Sequence, residues 1–122
     1  MTIDYNNKVF RVAGENEDVT RFMYFQEGNV VWGEYEGGGV TKGTLIAKVD
    51  EVGVLQMHYH HLNANLEFKL GRCTSIPKVL DDGRIELFEV YESVNTETIS
   101  KGEITLIEVC LLYTSPSPRD RG

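Results

Sequence analysis

Long apolar runs are missing from this chain. None approaches the roughly 20 residues that a bilayer-spanning helix needs, and the start, MTIDYNNKVF, lacks the basic and apolar regions of a secretory signal. Basic runs are missing too. Twelve Lys and Arg against 19 Asp and Glu give a formal charge of -7, which repels phosphates over most of the surface and excludes nucleic acid as the expected partner. Cysteine is scarce: Cys73 and Cys110 are too few for a disulfide framework. Nor do apolar residues recur at i, i+3, i+4 and i+7 over three turns, so no amphipathic helix is expected. These absences leave a soluble, single-domain β protein with no membrane contact, and the expected compartment is the cytoplasm.

What is present is a series of short strand-like stretches separated by turn signals. NKVFRVA (7–13) and VTRFMYFQ (19–26) are followed by the turn EGN, then VVWGEYEG and the triple glycine Gly37–Gly39. VTKGTLIAKV (40–49), DEVG and VLQMHYHHL (54–62) come next. The turn NAN leads into LEFKLGRCTSI (66–76), which ends at Pro77. DDG precedes RIELFEVYE (84–92), and a polar stretch, 93–100, precedes GEITLIEV (102–109). Eight strands with short links imply antiparallel neighbours. The expected fold is all-β: an eight-stranded antiparallel up-and-down (meander) barrel, closed by pairing 102–109 with 7–13. Closure removes exposed edges and leaves an interior sized for side chains or one small ligand. A two-sheet sandwich, the alternative, wants longer crossovers.

The end of the chain is set apart. Residues 110–120, CLLYTSPSPRD, resemble the in-frame translation of a sequencing adapter, with two of the three prolines in a Ser-Pro-Ser-Pro run. The expected domain is therefore 1–109, with 110–122 an artefactual, dispensable and disordered tail.

YNNKVF, YEGGGVTKGTLIAKVDEVGVL, YHHLN, GRCTSIP and DGRIELFEVYE together resemble a family of small bacterial avidin-like, calycin-type barrels of unknown function, over about 5–109. Tyr91 stands where that pattern has tryptophan, and 93–100 lacks its usual glycine. Some members carry the label N-acetylglutamate synthase. Acetyltransferases of that class use an α/β fold with a glycine-rich pyrophosphate loop opening a helix, and neither is visible here. The resemblance implies an avidin- or lipocalin-like fold and no particular reaction.

Alternation then assigns faces. Leu55, Met57, Tyr59 and His61 share one face of their strand, and its apolar start points that face inward. Ile85, Leu87, Glu89 and Tyr91 share another, and the resemblance favours Leu87, Glu89 and Tyr91 as inward. A carboxylate inside a barrel is costly unless paired; Arg72 and Lys42 are candidate partners. In LEFKLGRCTSIP the pattern leaves two readings. Leu66, Phe68 and Leu70 point inward and continue to Arg72 and Thr74, or a bulge at Gly71 turns Cys73 and Ser75 inward. The candidate ligand-binding set is Tyr35, Tyr59, His61, Arg72, Glu89, Tyr91 and Glu108, gathered at one end of the barrel because each places a polar group late on an inward face. It equally fits an internal structural network.

His58 and His60, two apart on a strand, have a spacing that chelates transition metals, with Glu67 as a third donor. A polar outer face is the favoured reading, and neither a metal nor another cofactor is expected. Gly37–Gly39 open no helix and are read as a tight or bulged turn rather than a phosphate loop. Gly33 and Gly43 are read as making room for bulky neighbours such as Trp32 or Tyr35. Cys73 has no local base to make it a nucleophile. Three functions follow, in order: a non-catalytic barrel binding one small, partly polar molecule; an enzyme using the same cavity, with Glu89 or His61 as base and Tyr59 as donor; and a filled barrel acting as an association module.

Overall fold

The computed structural model describes residues 3–14, 19–94 and 99–109. Residues 110–122 lie outside that set, and with them the expectation about the tail. Eight strands follow one another: β1 (Lys8–Val12), β2 (Arg21–Glu27), β3 (Val30–Gly37), β4 (Val40–Val49), β5 (Leu55–Asn63), β6 (Phe68–Val79), β7 (Ile85–Val94) and β8 (Ile99–Glu108). Each pairs antiparallel with the next, and β1 pairs with β8, so the sheet closes as a barrel in sequence order. The closing ladder sets Phe10, Arg11 and Val12 opposite Glu108, Ile107 and Leu106. No helix occurs among the described residues, and so none is long and apolar enough to cross a membrane.

The turns follow from their residues. Gly28, at φ +59°, takes the first position of the two-residue β2–β3 hairpin, where a primed turn needs positive φ. Gly38 and Gly39, at +61° and +97°, make the β3–β4 turn, and Gly37 at +95° sits at the register shift just before it. The triple glycine is thus a turn plus a bulge. Asp50 and Asn63 act locally in the longer links: Asp50 Oδ1 accepts from the Val52 and Val54 amides at 3.0 and 2.9 Å, and Asn63 Oδ1 accepts from Asn65 and Glu67 at 2.9 and 3.0 Å.

Inward positions alternate around the barrel. Val31, Leu45, Ala47, Leu55, Met57, Ile85, Leu87 and Leu106 are buried, joined by Phe10 and Tyr24. Tyr5, from the segment before β1, is fully buried and closes the end that holds the β2–β3, β4–β5 and β6–β7 turns. Its hydroxyl donates to the Gly53 carbonyl, and its ring lies 6.1 Å from that of Tyr24. One end of the barrel is therefore plugged by aromatic rings.

Three expectations need correction. First, β6 continues through Pro77 to Val79 instead of stopping at the proline. Its pairing with β5 ends at Ser75, so Pro77 sits where β6 has a neighbour on one side only and the missing N–H costs no ladder bond there. Second, β7 and β8 extend into the polar stretch, with Ser93 opposite Ser100 and Val94 opposite Ile99. Third, β6 faces the opposite way from simple apolar alternation. Gly71, Cys73 and Ser75 point inward, while Phe68 (71% exposed), Leu70 and Arg72 point outward. No bulge is responsible, because β6 keeps continuous register with both neighbours.

Candidate functional site

At the other end of the barrel the interior opens into a cavity of about 260 Å³. Its lining joins Tyr35 (β3), Tyr59 and His61 (β5), Cys73 (β6), and Glu89, Tyr91 and Ser93 (β7) to an apolar wall that includes Val12, Phe22, Leu45, Met57 and Ile104. The odd strands β3, β5 and β7 all run from the plugged end towards this one, so their late inward residues converge here.

A repeated device places the tyrosines. Tyr35 is register-paired with Gly43, Tyr59 with Gly71, and Tyr91 with Gly102. In each case a Cβ on the glycine would strike the tyrosine ring, so the ring lies flat across the space that a side chain would fill. The first two tyrosines reach one strand further. Gly43 is also paired with His61, and above it Tyr35 Oη meets His61 Nδ1 at 2.9 Å. Gly71 is also paired with Ser93, and above it Tyr59 Oη meets Ser93 Oγ at 3.3 Å. Gly33 differs: the atom it admits is the Met23 carbonyl oxygen, and its neighbour Trp32 faces outward.

Glu89 lies deeper, 6% exposed. Ser75 Oγ donates to its Oε2 at 2.6 Å, and among the described residues no cation pairs with it. Burial pushes its carboxyl up to about 7, against the lowering effect of the Ser75 hydrogen bond. Burial also raises the Tyr5, Tyr24, Tyr35 and Tyr59 hydroxyls, and it drives the Cys73 thiol up to about 12, where it is no nucleophile. At the mouth, burial holds His61 below the usual imidazole range, with smaller contributions from Lys69 and His60.

Of the seven sequence candidates, the structure gathers Tyr35, Tyr59, His61, Glu89 and Tyr91 around this cavity. It separates the other two. Arg72 is on the outer wall, where its guanidinium meets Glu92 at 2.7 Å, and Lys101 approaches the same carboxylate at 3.5 Å. Glu108 is at the plugged end, accepting from the Ile85 amide at 3.0 Å with Lys8 at 3.6 Å. β8 runs opposite to β7, so a late position on it lies at the far end. Lys42 is also outside, against Glu34 at 3.3 Å.

Outside as well are His58 and His60, and His60 Nε2 meets Thr44 Oγ1 at 2.9 Å. Glu67 instead accepts from the Asn63 amide group at 3.0 Å. Sequence reasoning missed Ser75 as the partner of Glu89, and Ser93 as the partner of Tyr59. A signal was present for Ser75. Placing Gly71 opposite the Tyr59 ring puts Cys73 and Ser75 inward by alternation alone.

The family model for avidin-like proteins matches residues 3–109, a span that contains all eight strands of the barrel. The chain belongs to the avidin-like family. No curated protein matches the chain. Among the described residues, the interior cavity lined by Glu89 lies at the end away from the Tyr5 plug.

Proposed function

We propose that this avidin-like barrel binds one small, partly polar molecule in its interior. A single observation supports this most: a buried carboxyl, Glu89, faces a cavity walled mostly by apolar and tyrosyl groups. A carboxyl placed so deep without a cation destabilises the fold, whereas a ligand that bonds to it recovers part of that cost. The cavity also weighs against a filled association barrel.

A catalytic reading has one observation in its favour. Glu89, titrating near 7 beside a cavity, matches what a general base requires. The other parts of a reaction centre are weaker, because His61 is engaged by Tyr35 and the Cys73 thiol is held protonated.

Native mass spectrometry of the full chain, purified gently from cells, tests the binding reading. A retained small molecule, released on unfolding and lost in Glu89→Gln, is the expected result. A bare chain mass, together with a fragment screen that leaves the NMR signals of Leu45, Met57 and Ile104 unmoved, would sink it.

A further inference from the structure

The cavity lining is lopsided in charge. Among the described residues it contains one acid, Glu89, and neither lysine nor arginine. Of the cations of this region, Arg72, Lys42 and Lys101 lie outside the barrel with acidic partners of their own, and Lys69, register-paired with His61, stands at the mouth and is not part of the cavity lining. His61 is the other lining group able to carry charge, and it stands at the mouth with Nδ1 against the Tyr35 hydroxyl. An anionic ligand seated in the cavity would meet Glu89 with no cation in the described lining to offset the repulsion. A neutral ligand would leave the carboxylate without a counter-charge.

We infer that the interior ligand is a small primary ammonium on a compact apolar body, with its nitrogen held by Glu89 and its body against Phe22, Leu45, Met57 and Ile104. This rests on the binding reading above. An ammonium supplies three donors and the missing positive charge, and a charge-assisted bond to a buried carboxylate is the strong kind. Ser75 occupies Oε2, and no hydrogen bond to Oε1 is formed among the described residues. Tyr35, Tyr59 and Tyr91 add aromatic faces of the type that attracts cations. Binding is then linked to the ionisation of Glu89. The titratable groups facing it are Tyr5, Tyr24, Tyr35, Tyr59 and Cys73, all kept neutral by burial. Glu89 alone therefore changes charge deep in the cavity around neutrality.

Three probes of one shape separate the possibilities: benzylamine, benzyl alcohol and benzoate, titrated into the full chain at pH 8 and pH 6 and followed by calorimetry and NMR. Benzylamine is expected to shift the Leu45, Met57 and Ile104 signals and to bind at least about tenfold tighter than benzyl alcohol at pH 8, the margin of one added charge-assisted bond. Its affinity should fall about tenfold by pH 6, the change in ionised fraction of a group titrating near 7. Benzyl alcohol should show no such fall. Glu89→Gln should remove the preference, and the pH series on the unaltered chain stands if that variant fails to fold. Equal binding of benzyl alcohol or benzoate, or a pH-independent benzylamine affinity, would overturn the ammonium assignment and leave interior binding intact. If none of the three perturbs the interior at millimolar concentration, the ammonium assignment falls, and interior binding is then decided by the retained-mass test above.

Discussion

At the scale of single residues, the two most consequential groups are buried hydroxyl and carboxyl functions that the fold only partly satisfies. Glu89 has its carboxyl raised to about 7 by burial. A group whose folded pKa lies above its unfolded value contributes stability that is complete below the unfolded pKa and is lost as pH rises through the folded one. For Glu89 that window runs from the ordinary carboxylate range up to about 7. Glu89→Gln keeps an acceptor for Ser75 and cannot ionise. In urea unfolding, its advantage over the unaltered chain should therefore grow by about 2–3 kcal/mol between pH 5 and pH 8. An advantage that does not change with pH would show that the carboxyl is not held away from water. Tyr24 presents the simpler case. Its ring is fully buried between Phe10 and Phe22, and its hydroxyl has no hydrogen-bond partner among the described residues. Removing an unsatisfied buried hydroxyl relieves its desolvation, so Tyr24→Phe should raise stability by about 1 kcal/mol. A loss of similar size in the same urea titration would mean that the hydroxyl is bonded.

At the scale of strands, glycine opposite tyrosine is the device that shapes the cavity, and it can be tested by swapping volumes. A Cβ on Gly102 would first meet the Tyr91 ring, whereas one on Gly33 would first meet the Met23 main chain. Gly102→Ala should therefore cost about 1–3 kcal/mol, and Tyr91→Leu should recover much of that in the double variant. Gly33→Ala should be costly with no side-chain change able to rescue it. Additive costs for Gly102→Ala and Tyr91→Leu would mean that the ring does not lie over the glycine. The same device explains what alternation could and could not reveal. β5 and β7 were legible because their inward faces begin with Leu55, Met57, Ile85 and Leu87, all buried. β6 was not, because its inner face is Gly71, Cys73 and Ser75, while its bulky apolar residues Phe68 and Leu70 lie outside. Small residues inside and large ones outside invert the usual hydrophobic signal wherever neighbouring tyrosines fill the space. Strand direction set the second limit. Glu89 and Glu108 both come late on inward faces, but antiparallel strands carry those positions to opposite ends.

At the scale of the whole barrel, the weakest ladder is the one that closes it. β1 has five residues against twelve in β6, and it meets β8 only over Phe10–Val12. Two flanking bonds lengthen the seam slightly, from the Ala13 amide to Thr105 at 2.8 Å and from the Val109 amide to Val9 at 2.7 Å. Side chains must supply the rest. Phe10 is fully buried, its ring 4.9 Å from that of Tyr24 and 6.4 Å from that of Tyr5. Glu108 meets Lys8 across the same junction and accepts from the Ile85 amide of β7 on its other side. A short ladder held by a buried aromatic ring should open as a unit before the long β4–β7 ladders do. Native-state amide exchange should therefore give Ala13 and Val109 similar, low protection, with the β5–β6 amides around Tyr59 close to the global limit. Truncating the ring in Phe10→Ala should cost about 3–5 kcal/mol. It should also speed exchange at the seam under conditions where the β5–β6 amides still exchange only by complete unfolding. Equal protection at the seam and in β5–β6 would instead show that the barrel unfolds in one step. The ring would then stabilise the whole sheet, not the closure alone.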